Sequence, residues 1–125
     1  MKIAINGFGR IGRSVFRILE EQKAIEVVAI NDLFDYGALR YLLSYDTVMG
    51  PFGKNLTLED DHFVTDKGRV KLLSVRNPED LPWRDLGVDA VVEATGVFRK
   101  REQLQQHLEA GAGRVVLTVP SKDPV

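Results

Sequence analysis

Apolar positions along this chain alternate between two periods. Ile3, Ala4 and Ile5 form a near-continuous apolar run, and residues 27–30 form a second one. Such runs suit parallel strands covered on both faces. Between them, Ile11, Val15, Ile18 and Leu19 recur at helical spacing over residues 10–23, while Arg13, Arg17, Glu20 and Glu21 take the other side. A strand, a helix and a second strand predict a right-handed βαβ unit with its first strand near the centre of the sheet. Over residues 36–45, Leu39, Leu42 and Leu43 sit at helical offsets behind Asp35, a candidate N-cap. Residues 46–55, with Gly50, Pro51 and Gly53, read as irregular, and residues 63–73 read as a hairpin turning at Asp66-Lys67-Gly68. Two prolines in residues 77–83 predict a loop or a single helical turn that buries Trp83. Residues 88–94 return to the parallel sheet. Leu104 and Leu108 then mark an amphipathic helix stopped by Gly111 and Gly113, and residues 115–119 form the last strand.

The junction of the first strand and first helix carries the chemistry. It reads Gly7-Phe8-Gly9-Arg10-Ile11-Gly12, with Asp32 closing the second strand 20 positions after Gly12. Gly7 permits the tight turn, Gly9 has no Cβ to block a pyrophosphate, and Gly12 lets the helix lie close to the sheet. Phosphates would meet the unpaired N–H groups and the positive dipole end of the helix. A strand before, a helix after and a carboxylate at the end of the next strand make this a dinucleotide-binding pattern rather than an ordinary turn. Asp32 could alternatively cap the following helix, a role that does not require this spacing.

The expected fold class is therefore α/β, a Rossmann-type doubly wound, mostly parallel sheet whose second half is incomplete, because a full domain of this kind has six strands. Residues 1–125 read as one domain, able to bury roughly two thirds of its unfolded surface. Gly7, Asn31, Thr95 and Thr118 should line up at the carboxyl ends of the strands, around a crevice with one wall missing. Exposure of apolar surface by that missing wall would lower stability and favour self-association.

A net charge of -1 excludes a broad positive field for nucleic acid or an acidic membrane surface. The chain contains no cysteine, so it offers no disulfide, thiolate metal site or cysteine nucleophile. No signal-like apolar region follows Met1-Lys2 and no run approaches bilayer-spanning length, so a soluble cytoplasmic protein is expected. His62 and His107 read as surface residues without metal-ligand spacing. Glu59-Asp60-Asp61 reads as a solvated charge run, and Arg99-Lys100-Arg101 as a basic surface face.

Five segments together resemble glyceraldehyde-3-phosphate dehydrogenase: residues 6–13, then Ala29-Ile30-Asn31-Asp32-Leu33, Leu42-Leu43-Ser44-Tyr45-Asp46, Leu81-Pro82-Trp83, and Glu93-Ala94-Thr95-Gly96-Val97-Phe98. The resemblance runs from residue 1 to about residue 123 and concerns the amino-terminal, NAD-binding part of that family. It implies NAD as cofactor, held by Asn6, Gly7, Phe8, Gly9, Arg10, Ile11 and Gly12, with Arg10 and Ile11 offering backbone N–H groups to the pyrophosphate. It implies that Asp32 accepts from the adenosine ribose and repels the extra phosphate of NADP. Asn31 and Arg76 would line the adenine end, Phe98 would form one side of the adenine slot after Thr95 and Gly96, and Thr118 would lie near the nicotinamide. Phe98 reads equally well as a core residue.

The family oxidises glyceraldehyde 3-phosphate with NAD and phosphate, in glycolysis, through a thiohemiacetal on a cysteine activated by a histidine. The resemblance therefore implies a cofactor-binding chain that is inactive without its catalytic domain, within an intact enzyme that is a homotetramer. Two other readings stand beside it. One is a freestanding nucleotide- or RNA-binding module on the same fold. The other is erythrose-4-phosphate dehydrogenase, whose members tend to carry Glu where this chain has Asp32.

Overall fold

A computed structural model describes residues 1–45, 56–96 and 101–118. The elements run β1 (Lys2–Asn6), α1 (Arg10–Glu20), β2 (Glu26–Asn31), α2 (Tyr36–Ser44), β3 (Leu56–Glu59), β4 (His62–Thr65), β5 (Gly68–Leu73), a 3-10 turn at Pro78–Asp80, α3 (Trp83–Leu86), β6 (Ala90–Glu93), α4 (Arg101–Glu109) and β7 (Arg114–Leu117). Among the described residues the strands form one sheet in the order β3-β4-β5-β2-β1-β6-β7. The five strands from β5 to β7 in that order are parallel, and β3, β4 and β5 form an antiparallel meander at one edge. This is the doubly wound, mostly parallel α/β arrangement the sequence predicts.

Side chains alternate across the sheet and feed two cores. On one side, Ile3, Ile5, Ile30 and Leu72 pack with Phe8, Phe16, Leu39, Leu43 and Phe63, under α1 and α2. On the other, the small residues Ala4 and Ala29 leave room for the fully buried Trp83, joined by Leu81, Val88, Val91 and Ala112. Asp35 caps α2 as expected, its Oδ2 accepting from the Ala38 N–H at 3.0 Å. Among the described residues no helix is long and apolar enough to cross a membrane.

The buried face of α1 matches its apolar stripe only in part: Val15 and Leu19 pack, partly buried, against the core, and the rest of the stripe does not. Gly12, Phe16 and Glu20 are buried, while Ile11 and Ile18 are 45% and 58% exposed. The close approach of Gly12 to the Gly7 carbonyl fixes the rotation of the helix, and it turns Ile11 and Ile18 outward together. Glu20 is tolerated inside because Thr65 Oγ1 donates to it at 3.3 Å and Lys67 Nζ lies 4.0 Å away.

The helix also stops at Glu20, short of the expected residue 23, because Lys67 caps it from the β4–β5 turn. Its Nζ donates to the carbonyls of Leu19, Gln22 and Ile25 at 3.3, 2.8 and 2.6 Å. The expected hairpin at Asp66-Lys67-Gly68 is present, with Thr65 paired to Gly68. The strand β3 was not expected. It joins β4 through Asp60, which adopts a left-handed φ of 56°. The irregular stretch assigned to residues 46–55 lies outside the described residues. Within the acidic run, Lys71 Nζ donates to Asp61 at 2.7 Å, and that hydrogen bond holds the Asp61 carboxyl below the usual carboxylate range.

A carbonyl-capping ammonium at the negative end of a helix stabilises by about 1–2 kcal/mol. Lys67→Met keeps the aliphatic stem and is expected to lower the thermal midpoint by several degrees, measured by circular dichroism. An unchanged midpoint would show that the cap contributes nothing.

Candidate functional site

Three adjacent parallel strands end in polar residues. Asn31 on β2 stands opposite Asn6 on β1, which stands opposite Glu93 on β6. All three are buried, at the carboxyl ends of their strands and on the Trp83 side of the sheet. Asn31 Nδ2 donates to Asn6 Oδ1 at 2.7 Å, and Asn6 Nδ2 donates to Glu93 Oε1 at 2.7 Å. Asn31 also clamps Val75 at both polar atoms, donating to its carbonyl at 2.8 Å and accepting its N–H at 2.8 Å. Glu93 Oε2 accepts the N–H and the hydroxyl of Thr95, at 3.0 and 2.6 Å.

His107 lies inside this network, not on the surface where the sequence reading put it. It is fully buried, with Nδ1 3.0 Å from the indole Nε1 of Trp83 and Nε2 2.8 Å from Glu93 Oε1. An indole can only donate, so Nδ1 must accept and the ring's N–H sits on Nε2, aimed at the carboxylate. Burial of this imidazole is feasible because both nitrogens have partners. Those partners come from β6 and α3, so no local pattern in α4 announces them.

The glycine turn begins where β1 ends. Gly7 has φ of +97°, its N–H donates to the Asn31 carbonyl at 2.8 Å, and a Cβ there would lie 2.7 Å from the Thr95 nitrogen. The Phe8 side chain turns into the core against Phe16 and Phe63, and its N–H donates to Asp32 Oδ2 at 2.7 Å. Gly9 is the N-cap of α1, without a side-chain capping bond, and among the described residues no atom beyond its chain neighbours lies within 4 Å of where its Cβ would be. The first intrahelical bond runs from Arg13 N–H to the Gly9 carbonyl at 2.9 Å. Helix geometry leaves the preceding N–H groups, those of Arg10, Ile11 and Gly12, without acceptors inside the helix.

Beside this turn is a crevice of about 480 Å³ lined by Asn6, Gly7, Asn31, Asp32, Leu33, Phe34, Val75, Arg76, Asn77 and Thr95. Six sequence-predicted residues therefore line one crevice: Asn6, Gly7, Asn31, Asp32, Arg76 and Thr95. Gly9, Arg10, Ile11 and Gly12 belong to the adjoining turn and first turn of α1. Gly96 follows Thr95 with φ of +76°. Thr118 donates to the Glu93 carbonyl through both its hydroxyl and its N–H, at 3.0 and 3.2 Å, next to the end of β6. Phe98 lies outside the described residues, as do Arg99 and Lys100.

Asp32 has a second task, since its Oδ1 accepts the Phe34 N–H at 2.9 Å. A carboxylate oxygen has two lone pairs, so both oxygens keep capacity for a further donor. Sequence reasoning missed Leu33, Phe34, Val75 and Asn77. The available signal was an apolar pair, Leu33-Phe34, directly after the strand-end carboxylate, and Phe34 is 68% exposed.

A family model described as the NAD-binding domain of glyceraldehyde 3-phosphate dehydrogenase matches residues 1–101. The chain belongs to this family. Glyceraldehyde-3-phosphate dehydrogenase of Chlamydia pneumoniae is 48% identical over 126 aligned positions, which take in the whole chain and 38% of that protein. The Thermotoga maritima enzyme of the same name is 50% identical over 123 positions, 97% of the chain and 37% of the relative. Glyceraldehyde-3-phosphate dehydrogenase A of Escherichia coli is 45% identical over 123 positions, 98% of the chain and 37% of the relative. The chain thus spans well under half the length of these relatives.

Within this NAD-binding domain the turn glycines should separate experimentally. Gly7→Ala meets a positive φ and the Thr95 backbone, and the strain alone should destabilise by about 1–3 kcal/mol. Gly9→Ala meets open space at an ordinary φ of -75°, so its stability should stay within about 0.5 kcal/mol of the parent. Chemical denaturation of the two variants measures the contrast, and equal losses would contradict the assignment of their roles.

Proposed function

We propose that the crevice and the adjoining amino end of α1 bind NAD, and that the chain is the cofactor-binding part of an NAD-dependent aldehyde dehydrogenase of the phosphorylating type. The carrying observation is the juxtaposition of an open, uncapped helix start at Gly9 with the Asp32 carboxylate on the crevice wall. The N–H groups of Arg10, Ile11 and Gly12 would hold the pyrophosphate, and the absent Cβ at Gly9 leaves the space it needs. Asp32 would accept the adenosine ribose hydroxyls while its charge opposes a ribose phosphate. Leu33 and Phe34 offer an apolar surface and Arg76 a cation at the adenine end of the crevice that Thr95 also lines, with Thr118 toward the nicotinamide.

Bound NAD supplies a hydride acceptor. The chain's own contribution is to bind and orient it, because 125 residues without a cysteine provide no thiol for covalent catalysis. Oxidation of glyceraldehyde 3-phosphate in glycolysis, a homotetrameric assembly and a cytoplasmic location belong to the same proposal, supported by the family resemblance.

Isothermal titration with NAD and NADP tests this reading. NAD should bind at least tenfold more tightly, a difference of about 1.4 kcal/mol. Asp32→Asn removes the charge and should narrow that ratio while weakening NAD. A folded protein that binds neither dinucleotide, or binds both equally, would overturn the reading.

A further inference from the structure

We infer that Glu93 and His107, neither of which lines the crevice, are positioning residues for the cofactor. This rests on the reading of the crevice as an NAD site. The two walls of the crevice are tied to one carboxylate. Thr95 is attached to Glu93 directly, and Val75 is attached through Asn31 and Asn6. Gly7 in turn is pressed against Thr95, so the height of the phosphate turn follows the Thr95 backbone.

The hydrogen-bond polarity of this network is fixed from both ends. At one end the Val75 backbone orients the Asn31 amide, because its N–H must face Oδ1 and its carbonyl must face Nδ2. Asn31 Nδ2 must then donate to Asn6 Oδ1, and Asn6 Nδ2 must donate onward to Glu93. At the other end the donor-only indole of Trp83 fixes Nδ1 of His107 as acceptor and directs Nε2–H to the same carboxylate oxygen. The Thr95 N–H has no alternative polarity either. Every fixed donor therefore arrives at Glu93, and a group that accepts at both oxygens is required. No amide flip or change of tautomer can relieve a donor placed there. Trp83 and His107, carried by α3 and α4 on the sheet face opposite α1, thereby set the crevice from behind.

The expectations follow from that polarity. Glu93→Gln has nearly the same shape but must aim its NH₂ at Asn6 and His107 or at the Thr95 N–H. It should weaken NAD binding at least tenfold in a chain that still folds. His107→Gln supplies one acceptor and one donor and should bind NAD within about threefold of the parent, whereas His107→Leu should lose at least tenfold. A purely packing role for His107 would not distinguish these two variants.

The test is isothermal titration of the full chain and the three variants with NAD, with thermal melts alongside. Wild-type binding together with undiminished binding by Glu93→Gln would overturn this inference alone. Equal losses in His107→Leu and His107→Gln would also overturn it. Absence of binding by the wild type would remove the cofactor reading and this inference with it. Should Glu93→Gln fail to fold, the His107 pair decides the matter. Imidazole nitrogen resonances in the wild type give a separate check, and a proton on Nδ1 of His107 would contradict the account.

Discussion

Burying one carboxylate among four hydrogen-bond donors is the constraint on which the rest of this molecule is arranged. An isolated ionised carboxyl in a protein interior is strongly unfavourable, and removing partners from such a group leaves it destabilising. Glu93 escapes that penalty because Asn6, His107 and both donors of Thr95 reach it. Each partner belongs to a different part of the fold: the end of β1, the buried side of α4 and the segment leaving β6. Satisfying the carboxylate therefore requires the sheet, the rear helix and the start of the next loop to be in register together. Such networks specify one arrangement rather than merely adding stability.

The glycine turn depends on that arrangement. Gly7 lies within van der Waals reach of the Thr95 backbone, and Gly12 lies against the Gly7 carbonyl, so strand, turn and helix form a stack without side chains between them. Asp32 closes the stack by accepting the Phe8 and Phe34 N–H groups, one on each oxygen. The same carboxylate that would select a ribose hydroxyl over a phosphate thus also anchors the turn that would carry the pyrophosphate. Recognition of the ribose and of the pyrophosphate would in this way be coupled through one side chain.

The glycine motif, the βαβ unit and the gathering of Gly7, Asn31, Asp32 and Thr95 were legible because they depend on local backbone rules and strand order, whereas Asn6 and Arg76 were legible only through the family resemblance. Other features depended on contacts between distant segments. The rotation of α1 is decided by the fit of Gly12 against Gly7, which overrides the apolar stripe at Ile11 and Ile18. His107 has its partners 24 and 14 residues away at Trp83 and Glu93, so its burial left no periodic trace in α4. The short strand β3 shows a half-buried pattern, Leu56 and Leu58 against Thr57 and Glu59, too brief to stand out before its pairing with β4 is seen. Phe34 lies exposed at the crevice, where on the proposed reading it would offer apolar surface to a flat aromatic ligand.

The most direct measurement is the change in backbone amide resonances of the isotope-labelled chain as NAD is added. The account predicts that the largest shifts map to residues 7–12, 32–34, 75–77 and 95–96, with the β3–β4–β5 meander unaffected. Shifts centred on the α4–β7 face around Arg101 and Arg114, or no shifts at saturating NAD, would contradict it.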